Sequence, residues 1–127
     1  MIKSVLAIIL ITTSLIANAN DKYLNHVQVK LNRVSSLVLD DSDSSIEQSL
    51  IMGINKLGIV TSIKAGGPYT SESLNKKATR LIRMAAPFLP LDKFFPNETQ
   101  SIELLVMFES EKEGELIVTA VELLDVR

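Results

Sequence analysis

The chain has 127 residues, 46% of them hydrophobic and 22% charged, enough apolar content for one globular core and too little length for two domains of ordinary size. A formal net charge of -2, with a sequence pI of about 5.4, lacks the basic excess of a nucleic-acid binder and excludes nucleic acid as a partner. Cysteine is absent and histidine occurs once, which removes disulfides, thiolate metal sites and thiol catalysis and leaves little scope for imidazole chemistry.

Residues 1–19 read as a secretory leader. Lys3 gives the positive start, residues 5–16 the apolar run and Ala17-Asn18-Ala19 an A-x-A site, so cleavage is expected before Asn20. Thr12, Thr13 and Ser14 interrupt the run, which is shorter than the roughly 20 residues a bilayer span requires, so no span is expected after cleavage. Residues 20–127 then form a single exported domain. Over residues 21–39, Tyr23 or Leu24, Val27, Leu31 and Val34 recur at three- and four-residue spacing, the pattern of a first amphipathic helix. His26 sits beside that stripe. With no cysteine and no second histidine, it is read as a surface or packing residue rather than a ligand or catalyst.

Residues 40–45, rich in Asp and Ser, read as a solvated turn, because they lack the glycine and the distant bidentate glutamate of a calcium loop. Residues 46–54 alternate Ile46, Leu50, Met52 and Ile54 with Glu47, Ser49 and Gly53, which predicts a strand with one covered face. Gly58 can turn the chain into a second strand over 59–63, giving an antiparallel hairpin. Residues 65–69 form a loop without the lysine-serine of a phosphate cradle. A second helix follows, with Leu74, Ala78, Leu81 and Ala85 at i, i+4, i+7 and i+11 and Ile82 beside them. Lys76, Arg80 and Arg83 fall on its opposite face, and Pro87 ends it.

Residues 87–96 are an extended connector. Beyond it, Ile102, Leu104, Val106 and Phe108 alternate with Glu103, Leu105 and Met107 in a strand expected to be central. A charged loop over 110–114 leads to a fourth strand over 115–124. The predicted fold is α+β, in the order α-β-β-α-β-β, with a small antiparallel sheet and two helices packed on one face.

The run Ala85-Ala86-Pro87-Phe88-Leu89-Pro90-Leu91, between a helix and a strand, resembles the proline connector of the TonB and TolA carboxy-terminal domain family. The order of elements from Tyr23 to Phe108 and the turn glycine Gly58 are similar as well. The Tyr-Pro pair often found at the start of the TonB domain is not, since Leu24 follows Tyr23. The resemblance implies a periplasmic, non-enzymatic module that binds envelope proteins: outer-membrane receptors, Tol components, colicins or phage coat proteins. Members of the family carry a membrane anchor and a long linker, whereas a few residues separate the expected cleavage site from this domain. A decoy or inhibitor that occupies TonB or TolA partners without transmitting force is therefore an alternative.

A sheet with helices on one side presents an edge strand whose backbone can accept an extended partner. The last hairpin is expected at a sheet border, which makes Leu105, Met107, Ile117, Thr119 and Val121 the candidate partner-binding residues. Lys76, Arg80 and Arg83 form a secondary candidate face, and a homodimer is left open. A small periplasmic enzyme is the remaining alternative, resting on Glu103, Glu109, Glu111, Glu113, Glu115 and Glu122. Strand alternation and hairpin loops scatter these carboxylates, and no nucleophile and base pair accompanies them. No cofactor, metal site or catalytic residue is expected.

Overall fold

A computed structural model describes residues 2–35, 47–67, 72–110 and 116–127, with side chains for 19–35, 48–67, 75–109 and 116–127. The elements are α1 (Ile2–Ser35), β1 (Glu47–Asn55), β2 (Val60–Ala65), α2 (Glu72–Ala85), β3 (Ser101–Ser110) and β4 (Leu116–Val126), with a short 3-10 turn at Leu91–Lys93. This is the α+β order expected. The turns expected at 40–45 and 110–114 fall, apart from Ser110, outside the described residues.

The four strands pair antiparallel in the order β2-β1-β3-β4. Both hairpins form, and the long-range step between them joins β1 to β3 over nine residue pairs, from Glu47↔Glu109 to Asn55↔Ser101. Period-two alternation then decides what each sheet face carries. Leu50, Met52 and Ile54 of β1 and Ile102, Leu104, Val106 and Phe108 of β3 are buried toward the helices. Ile51, Leu105, Met107 and Ile117 are half-buried on the other, helix-free face.

Both helices lay their apolar stripes on this sheet. Tyr23, Val27 and Leu31 of α1 and Ala78, Leu81, Ile82 and Ala85 of α2 are all buried in one core. Lys76, Arg80 and Arg83 lie outside it, exposed. Helix α1 packs mainly along β4, and α2 packs against β1 and β2. Helix α1 also begins much earlier than the expected start near residue 21. No glycine or proline interrupts residues 2–35, so nothing local stops the helix at the expected cleavage site. Among the described residues no helix is long and apolar enough to cross a membrane.

The connector is pinned rather than merely extended. Its Ala86-Pro87 peptide is cis. Tyr23 Oη donates to Leu89 O at 2.7 Å, Leu89 N–H donates to His26 Nε2 at 3.1 Å, and Lys30 Nζ donates to Pro87 O. Phe88 N–H donates to Gly58 O at 2.9 Å and Leu91 N–H to Lys56 O at 3.0 Å. The connector thus joins α1 to the β1-β2 turn. His26 is a packing residue, with its ring centroid 6.0 Å from that of Phe88 and 5.8 Å from that of Tyr23.

Because Nε2 accepts a hydrogen bond, the His26 imidazole is neutral in the fold. Its pKa lies below the ordinary value of 6.5, through burial first and the Lys30 charge second. A depressed folded pKa gives stability that is complete above 6.5 and lost as pH falls from there through the folded value. The wild-type protein is therefore expected to lose stability between neutral pH and the acid side of 6.5 more steeply than His26→Gln. Urea melts of both proteins across that window measure the difference, and parallel profiles would count against this role for His26.

Candidate functional site

The sheet has two borders, β2 and β4. A border can accept a partner strand only where its outward N–H and C=O groups are unoccupied. Along β4 they are partly taken. Val118 N–H donates to Asn32 Oδ1 at 2.8 Å, while Asn32 Nδ2 and Gln28 Nε2 donate to Val118 O at 3.1 and 3.2 Å. A side-chain amide of α1 here makes the two bonds that a neighbouring strand would make. Gln28 and Asn32 stand one turn apart on α1, flanking the stripe of Val27 and Leu31, and hold that helix along the border.

β4 is also irregular. Its pairing with β3 shifts twice, leaving Thr119 and Leu124 as extra residues between ladder positions. Bulges of this kind twist an edge and interrupt pairing with a further strand. At the carboxy terminus the border is tied inward: Arg127 N–H donates to Ser101 O at 2.9 Å, and the Arg127 guanidinium meets Glu103 at 2.6 Å and Asp125 at 2.8 Å.

The five candidate residues consequently separate. Leu105 and Met107 lie on β3, whose backbone is paired on both sides, and reach a partner only through side chains on the helix-free face. Ile117 shares that face, since it pairs with Glu109. Val121 is 9% exposed and points into the core. Thr119 is exposed but sits in a bulge, with its hydroxyl 3.4 Å from Met107 O. A proline there would disturb the β3-β4 ladder itself.

The β2 border differs. Gly66 N–H donates to Ser49 O at 2.9 Å, which sets the phase of the β1-β2 ladder. Ile51↔Lys64 and Gly53↔Ser62 are then the hydrogen-bonded pairs, and Met52↔Ile63 and Leu50↔Ala65 the non-bonded ones. The backbone groups of Ile63 and Ala65 therefore point away from β1, out of the sheet. Thr61 is an extra residue at the start of the strand, and 62–65 is regular. Ser62, Lys64 and Ala65 are exposed. Sequence reading missed this border because a six-residue strand in the first hairpin carries no more edge signal than one in the second.

Glycine 53 organises the helix-free face nearby. It lies between Ser62 and Glu103 in register, and a Cβ there would stand 2.5 Å from Ser62 Oγ. On the same face Lys64 Nζ comes within 4.0 Å of Glu103 across β1. Glu103 is thus held between Lys64 and Arg127 as part of an ion-pair row. Among the described residues no three His, Asp or Glu gather to hold a metal ion.

The secondary candidate face adjoins the β2 border. Arg83 lines a hollow with Ile59, Val60, Ala86 and Pro87, and a second hollow along α2 with Asn75, Lys76, Thr79, Arg80 and Met84. Positions 75, 76, 79, 80, 83 and 84 form one flank of the helix, beside its buried stripe. No family model, curated protein or solved structure matches this chain.

Proposed function

We propose that this protein is a periplasmic protein-binding module that takes an extended segment of an envelope partner, such as an outer-membrane receptor or a Tol component, as a further strand on β2. The observation carrying this reading is the outward backbone of Ile63 and Ala65 on a border that, among the described residues, is paired on one side only. Main-chain hydrogen bonds supply affinity in strand addition, and neighbouring side chains supply selectivity. The AAPFLPL connector and the order of elements support the kinship with TonB and TolA domains on which the envelope assignment rests. A decoy for the same partners would use the same border.

The test is site-specific photo-cross-linking in cells with an intact envelope, from residue 65 and separately from residue 119. The expected result is an adduct from position 65 whose partner peptide maps to an extended segment of an envelope protein, with little or none from position 119. Adducts only from position 119, or equally from both, would move the site off β2. Absence of any envelope adduct would remove the proposed function.

A further inference from the structure

We infer that the β2 border selects acidic segments: the bound strand places carboxylates at alternate positions against Arg83 and Arg80, and an apolar residue between Ile59, Val60 and Pro87. This rests on strand addition at β2. Helix α2 begins seven residues after β2 ends and packs back against it, so the carboxy-terminal end of the helix meets the start of the strand. Arg83 marks the meeting point, because it lines one hollow with Ile59 and Val60 and the next with Arg80 and Lys76. A segment laid on β2 has every second side chain on the helix side of the sheet. Those side chains run along this flank.

Charge and spacing specify the partner. Arg80 and Arg83 are exposed, and among the described residues neither has an acidic partner. The pair forms a local positive patch on a chain whose net charge is -2. On a helix, side chains three apart have Cβ atoms about 5 to 6 Å from each other. Alternate side chains on a strand are about 6.5 to 7 Å apart. Two long guanidinium arms can therefore each meet one carboxylate of an acid-x-acid sequence. Ile59 at 48% and Met84 at 42% exposure supply apolar surface at either side of Arg83.

The probe is a fluorescent peptide of about ten residues alternating threonine with valine, valine, glutamate, glutamate and valine, compared with its glutamine counterpart. Anisotropy at about 20 mM salt should give roughly five- to tenfold tighter binding of the glutamate peptide, an advantage that fades as salt rises. In Arg80→Gln/Arg83→Gln the two peptides should bind alike. Ala65→Pro, which removes an outward N–H, should weaken both peptides, while Ala65→Ser should not. Equal binding of both peptides to the wild type, with loss of both in Ala65→Pro, would leave strand addition standing and overturn acidic selectivity. A glutamate preference undiminished in Ala65→Pro would show that the arginines bind acids without strand addition. Failure of both peptides to bind the wild type would overturn the inference as stated.

Discussion

Leu81→Asp is expected to destabilise the fold by about 3 to 5 kcal/mol, whereas Arg80→Asp, one position away, should change stability by about 0.5 kcal/mol or less. Leu81 is fully buried between α2 and the sheet, in a cluster with Ala78, Ile82 and Ala85. An aspartate there loses the apolar contact and brings in a carboxylate with no positive partner. Removing one side of a packed interior leaves the surrounding atoms only partly able to close the gap, which adds to the transfer cost. Arg80 projects from the other face of the same helix turn and is exposed. Helix propensity and backbone geometry vary little between the two sites, so the contrast isolates burial. Urea unfolding of both variants measures it. Comparable losses would mean that the apolar stripe of α2 does not face the sheet.

That stripe is legible because its period is local: four apolar residues at helical spacing end at a proline, and nothing distant needs to be known. β3 is legible for the same reason, its alternation of Ile102, Leu104, Val106 and Phe108 fixing both strand and buried face. The carboxy-terminal border is harder. Its strand can be read from Ile117, Val118 and Val121, but the bonds of Asn32 to Val118 span 86 positions in sequence. No periodicity announces such a contact. A polar pair beside an apolar stripe, Gln28 and Asn32, is its only local trace, and that pattern is as common on solvated helices. Lys77 shows that charge alone is a poor guide to exposure. It is 7% exposed because position 77 lies four before Leu81 and hence on the core side, although its charge suggests solvent. The connector reads as extended because prolines exclude regular structure; its anchorage depends on Tyr23, His26 and Gly58, each remote in sequence.

Gly58→Ala should cost about 3 to 4 kcal/mol, while Gly67→Ala should stay within about 0.5 kcal/mol of the wild type. Gly58 has φ +87, in the left-handed region where a side chain costs roughly 1 to 2 kcal/mol. It also lies against the connector: an alanine Cβ would stand 2.2 Å from Phe88 O and 2.8 Å from Leu89 O. Both neighbours are backbone oxygens, and neither can rotate away as a side-chain tip can. The chain must separate the turn from the connector instead. That movement stretches the bonds from Phe88 N–H to Gly58 O and from Leu91 N–H to Lys56 O, each worth about 1 kcal/mol net. Asn55, whose Oδ1 accepts from Leu57 and Ile59 N–H at 3.0 Å each, keeps the turn itself closed and prevents the strain from spreading into β2. Among the described residues nothing lies within 4 Å of where a Gly67 Cβ would be. Amide exchange locates the damage: in Gly58→Ala the Phe88 and Leu91 amides should lose protection while the β1-β3 ladder keeps it. A Gly58→Ala protein as stable as the wild type, with Phe88 still protected, would show that the turn and the connector are not packed backbone to backbone.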